Sequence, residues 1–130
     1  MDKKILIKAG ILGVIAVIGG AFGAHALKAI LSAEHLTSFN TGVRYQLVHA
    51  VVLLVLFLLK DRFDLKQFAI ASNLIFWGVI LFSGSIYLLT LKNIIGLEFL
   101  KFAGPITPIG GTLIIVGWVF VIIGGVKIKS

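Results

Sequence analysis

FNTGVRYQLVHAVVLLVLFLL, residues 39–59, decides how this chain folds, because its apolar part is too short for the job its composition implies. Only residues 47–59 lie between Gln46 and Lys60, and one of them is His49. A helix needs about twenty residues to cross a hydrocarbon core of about 30 Å. Counted back from Lys60, such a helix starts near Asn40 and carries Arg44, Tyr45, Gln46 and His49 at headgroup depth or below.

The rest of the chain supports a membrane setting. Hydrophobic residues make up 59% of the 130, and the mean hydropathy is +1.13. A soluble domain of this size could not keep so much apolar surface from water. Residues 5–24 carry Lys8 as their only charge, residues 68–91 carry none, and an uncharged run to residue 126 is entered through Pro105 and Pro108. Lys8 is near enough to the end of its run to snorkel. The expectation is an all-α polytopic membrane protein, a four-transmembrane-helix bundle forming one membrane domain over residues 1–130. Its spans fall at approximately 5–24, 41–59, 68–91 and 108–126.

Flank charges orient the bundle. Lys3, Lys4, Lys8, Lys60, Arg62, Lys66, Lys127 and Lys129 fall on one side, and Lys28, Arg44, Lys92 and Lys101 on the other. Eight against four places both termini in the cytoplasm of a cell-membrane protein. The net charge of +7 is scattered at span edges with no basic stripe, so nucleic acid is not an expected partner and membrane lipid is. Lys3, Lys4 and Ala24-His25-Ala26 also resemble a secretory signal with its cleavage site. The three spans that follow favour a retained first helix.

Small residues supply packing in lipid, where hydrophobicity does not drive helices together. Ala9, Gly13, Ala16, Gly20 and Gly23 follow 4-3-4-3 spacing, with Gly19 and Gly23 as a GxxxG pair. Gly110, Gly117 and Gly124 recur at intervals of seven, with Gly111 and Gly125 beside the outer two. Such stripes serve contacts within one chain or between copies of a homo-oligomer.

Polar residues form two faces. At about 100° per residue, Ser38, Thr41, Gly42, Tyr45, Gln46 and His49 share one arc of the second span, with Arg44 outside it. On the third span Ser72, Phe76, Ser83, Tyr87 and Thr90 form a narrow stripe, with Asn73 and Gly84 at its edge. Both faces are deepest on the outer side and should meet inside the bundle. Ser83 and Tyr87 are then expected to hydrogen-bond His49, Tyr45 or Gln46. Two outcomes follow: plain interhelical bonding, or an outward-facing polar pocket built from Arg44, Tyr45, Gln46, His49, Ser83, Tyr87 and His25, with Arg44 near its mouth.

Several chemistries are disfavoured. The chain has no cysteine, and its three histidines have no carboxylate at ligand spacing, so neither a metal nor a cofactor is expected. Asp2, Asp61 and Asp64 lie on the inner side and Glu34 and Glu98 in outer connections, which argues against a proton-coupled pump. Phe82-Ser83-Gly84-Ser85 is not a nucleophile elbow. In the connections, Ser32 with Glu34 reads as a helix start, and residues 23–31 as an amphipathic interfacial stretch. Thr107 is the expected N-cap of the fourth span, with Pro108 at its first position and a re-entrant turn before it.

Four blocks carry a family resemblance. Gly20-Ala21-Phe22-Gly23-Ala24-His25-Ala26-Leu27, Phe39 with Gly42-Val43-Arg44-Tyr45-Gln46 and His49-Ala50, Leu81-Phe82-Ser83-Gly84-Ser85-Ile86-Tyr87, and Gly104-Pro105-Ile106-Thr107-Pro108-Ile109-Gly110-Gly111 occur in that order. They resemble the signatures of domain-of-unknown-function family 423, itself similar to transmembrane protein 256 of animals. Ala33 stands where many members are expected to have proline. The resemblance implies a small four-span membrane protein and no established activity. The leading reading is a non-enzymatic protein whose outer polar cluster binds a lipid headgroup or small anion. A transport or channel component acting as an oligomer is the first alternative. An intramembrane lipid-modifying enzyme with His49 as general base is the second.

Overall fold

The computed structural model describes residues 3–129, so Asp2 lies outside the described residues. Four α-helices account for nearly all of them: α1 (Lys3–His25), α2 (Ala33–Phe63), α3 (Lys66–Ile95) and α4 (Ile106–Lys127). Short 3-10 turns at Leu27–Ala29 and Glu98–Ala103 precede α2 and α4. All four helices are long and apolar enough to cross a membrane.

Local chemistry sets the ends. Ser32 caps α2, its hydroxyl oxygen accepting from the His35 N–H at 3.2 Å. The helix therefore starts at Ala33, well above the apolar run. It stops at Asp64, which adopts the left-handed region at φ 49° and ion-pairs with Lys60 one turn back. The ammonium holds that exposed carboxyl below the usual aspartate range. Gly96, at φ 70°, closes α3 in the same backbone region, which glycine enters without steric cost.

Two local expectations are corrected. Thr107 is not a cap: α4 begins at Ile106 behind Pro105, two residues earlier than expected, and the Thr107 N–H bonds back to the Gly104 carbonyl at 3.3 Å. Its hydroxyl is thereby released toward Ser85 on α3, 2.6 Å away. Lys8 does not snorkel; its ammonium donates to Asn73 Oδ1 at 2.8 Å and sits 5.2 Å from the Phe76 ring centroid. A polar acceptor and an aromatic face on α3 partner this half-buried charge.

The helices pack in chain order: α1 on α2, α2 on α3, α3 on α4, with a glancing contact of α1 on α3. Short connections make neighbours antiparallel, so α1 starts and α4 ends at the same end of the bundle. Leu12, Leu53, Leu56, Phe68, Ile75 and Val79 fill the centre. Glycines set the α3–α4 separation. An added Cβ at Gly110 would meet backbone of Gly78 and Phe82, at Gly117 it would lie 2.6 Å from Ile75, and at Gly124 2.6 Å from Phe68. On α1, Gly20 and Gly23 face Val43 and Phe39 of α2, while Gly13 has nothing within 4 Å. Exposed Val14, Val17, Ile115, Ile122 and Val126 make the outer surface apolar, as a bilayer solvent requires.

Candidate functional site

Gln46 ties three helices together. It is 3% exposed; its amide nitrogen donates to the Leu12 carbonyl of α1 at 2.9 Å, and its amide oxygen accepts from the Tyr87 hydroxyl of α3 at 2.6 Å. Beside it the Ser83 hydroxyl donates to the Gly42 carbonyl at 2.7 Å. Tyr87 also packs its ring against Phe39, centroids 5.4 Å apart. Among the described residues every buried side-chain nitrogen and oxygen has a partner. Gln46, Ser83 and Tyr87 are thus committed to one another and to backbone. Tyr87→Phe should cost about 0.6 kcal/mol, the usual size of an intramembrane hydrogen bond, read as a small shift in an unfolding midpoint in detergent; an unchanged midpoint would mean the bond contributes nothing.

His49 has a different set of partners. The Trp118 indole of α4 donates to its Nε2 at 3.1 Å. An indole N–H can only donate, so Nε2 carries no proton and Nδ1 does. Nδ1 then donates to the Tyr45 carbonyl at 2.7 Å. Both ring nitrogens are occupied, and neither Ser83 nor Tyr87 shares them. Trp118 is a neighbour of His49 that the sequence did not disclose, since it sits in an uninterrupted apolar run.

Tyr45 and Arg44 leave the bundle interior. The Tyr45 ring packs on Phe82 at 4.8 Å and stacks on His49 at 5.9 Å. Arg44 is exposed and makes no hydrogen bond or ion pair among the described residues. Sixteen residues separate it from Lys60. At about 1.5 Å per residue it stands about 24 Å along the helix from Lys60.

These residues belong to a longer feature. Thr41, Tyr45, Val48, Val52, Val55 and Leu59 follow 4-3-4-3-4 spacing along one flank of α2. Three hollows line it. The first, 430 Å³, lies at the end away from the termini and is lined by His35, Ser38, Thr41, Thr90, Asn93 and Thr107 with Ile86 and Leu89. The second, 200 Å³, is bounded by Arg44, Tyr45, Val48 and His49. The third, 230 Å³, is wholly apolar, formed by α2 valines and leucines with Trp118 and Val121 of α4. The flank therefore runs from a partly polar hollow, past the apolar stem of Arg44, to an apolar hollow. Sequence reasoning missed His35, Asn93 and Thr107 here, because each comes from a different helix end.

One predicted participant stands elsewhere. His25 is exposed in the last turn of α1 and lines none of these hollows. Among the described residues no three His, Asp or Glu side chains gather as metal ligands would.

Comparison with known proteins gives a consistent picture. The family model described as "Protein of unknown function (DUF423)" matches residues 19–111. The UPF0382 membrane protein YwdK of Bacillus subtilis is 35% identical over 126 residues, covering 95% of this chain and 98% of its own. A UPF0382 membrane protein of Haemophilus influenzae is 38% identical, covering 100% and 99%. The UPF0382 inner membrane protein YgdD of Escherichia coli is 34% identical, covering 98% and 93%. No solved structure matches the chain.

Proposed function

Because this chain belongs to the DUF423 family of multi-pass membrane proteins, a family whose description attaches no activity, we propose a function from its geometry: it holds one phospholipid along the flank of α2. An acyl chain occupies the apolar hollow beside Trp118, the phosphate meets Arg44, and the headgroup reaches the polar hollow under Thr41 and Thr107. The observation that carries this is Arg44, without a hydrogen-bond or ion-pair partner among the described residues, set between a partly polar and an apolar hollow along α2. A guanidinium near the outer interface can meet phosphate oxygens, which its planar fork suits.

In the same reading the protein sits in the cell membrane with both termini cytoplasmic, supported by the excess of Lys and Arg flanking the termini end. The groove then opens to the outer leaflet. The Arg44→Gln variant tests it. The full chain is delipidated in detergent, and retained phospholipid is counted by native mass spectrometry. Charge-assisted bonds contribute about 1.5–3 kcal/mol, so retention of anionic phospholipid should fall about tenfold or more. Equal retention by both proteins would reject the proposal.

A further inference from the structure

The first hollow specifies more than polarity, because the hydrogen atoms of its threonines are already directed. Thr41 donates its hydroxyl proton to the Thr37 carbonyl at 3.0 Å, and Thr90 to the Ile86 carbonyl at 3.0 Å. Carbonyls accept only, so neither oxygen has a proton left to offer a ligand. Ser85 donates to the Phe82 carbonyl at 2.8 Å, so its 2.6 Å contact with Thr107 is made by the Thr107 proton. Three threonine oxygens from α2, α3 and α4 thus line one hollow as acceptors.

A ligand group that meets these three threonine oxygens must donate. The lining contains no carboxylate: Glu98 ion-pairs with Lys92 at 3.7 Å, and Glu34 sits outside the lining on the first turn of α2. A charged ammonium would lose water among neutral oxygens, with no acid to replace it. A trimethylammonium has no proton to give. A neutral hydroxyl pair donates to the threonines and can accept from Asn93 and Ser38 in return.

We infer that the lipid headgroup recognised by this chain is an uncharged polyol carried on a phosphodiester, of the glycerol type found in phosphatidylglycerol. The inference rests on the phospholipid reading above, with Arg44 taking the phosphate. The acceptor triad then reads what lies beyond the phosphate.

The test uses the full chain reconstituted in phosphatidylcholine vesicles containing equal amounts of phosphatidylglycerol, phosphatidic acid and phosphatidylethanolamine, with retained lipid counted by native mass spectrometry. Phosphatidic acid has the phosphate without the polyol. One net hydrogen bond corresponds to about fivefold, so phosphatidylglycerol should be retained about fivefold over either competitor. Thr41→Val with Thr90→Val should bring phosphatidylglycerol down to the phosphatidic acid level and leave phosphatidic acid unchanged. Arg44→Gln should lower both anionic lipids together. A native chain that keeps phosphatidic acid or phosphatidylethanolamine as well as phosphatidylglycerol would overturn the inference while leaving the Arg44 site standing. Retention of none of the three would overturn both.

Discussion

Gly110→Leu is expected to separate α4 from α3. A Cβ at this position would lie 2.7 Å from the Gly78 carbonyl oxygen and 2.8 Å from the Phe82 Cα, and closer still to the Phe82 nitrogen. All three are backbone atoms of one helix turn, so no side-chain rotation relieves the overlap. Overpacking a core costs about 1–3 kcal/mol where side chains can yield; here the expected loss is about 3 kcal/mol or more. It would be read as a large drop in the unfolding midpoint of the purified protein in detergent. Gly125→Leu is the control, because nothing lies within 4 Å of an added Cβ there. Equal midpoints for the two variants would mean that α3 and α4 do not approach as closely as described.

The second large effect concerns the groove rather than the fold. Val55 is 50% exposed and lines the apolar hollow with Trp118 and Val121. Val55→Trp would place an indole in a space of 230 Å³ without touching Arg44 or the polar hollow. An acyl chain and the indole cannot share it, and overlap of about 1–3 kcal/mol corresponds to a loss of retained phospholipid of about fivefold or more. The unfolding midpoint should stay near that of the native chain, since the side chain points out of the bundle. Full lipid retention in this variant would show that no acyl chain lies in the hollow.

These two variants act on features of unequal visibility in the sequence. Apolar runs bounded by charges announce four helices, because only a bilayer accommodates such runs. Glycine at intervals of seven announces a close helix contact in α4 but does not name the neighbour, which is α3. The polar arc of α2 is where periodicity stops helping. Gln46 and Tyr45 are adjacent in sequence and share the polar arc, about 100° apart, yet Gln46 turns to α1 and α3 while Tyr45 turns toward Phe82 and the groove. An arc tells which residues share a side, not which neighbour stands there.

Backbone partners leave no trace in a sequence at all. The Leu12 carbonyl bound by Gln46 and the Gly42 carbonyl bound by Ser83 belong to residues without a polar side chain. Trp118 is masked differently: an indole in a membrane helix reads as apolar bulk until its N–H is found on His49. The polar hollow is assembled from the start of α2, the end of α3 and the start of α4, three segments separated by long stretches of chain. No local pattern could have gathered them.

The claim on which the account turns is that lipid sits along Thr41, Val48, Val52 and Trp118 and not evenly around the bundle. Photocrosslinking with a diazirine-bearing phosphatidylglycerol in vesicles, followed by peptide mapping of the native chain, addresses it most directly. The groove account predicts adducts concentrated at Val48, Val52 and Trp118, and lost from all three in Arg44→Gln. Adducts spread equally over Val14, Val17 and Ile122 on the outward faces of α1 and α4, and unchanged in the variant, would contradict it.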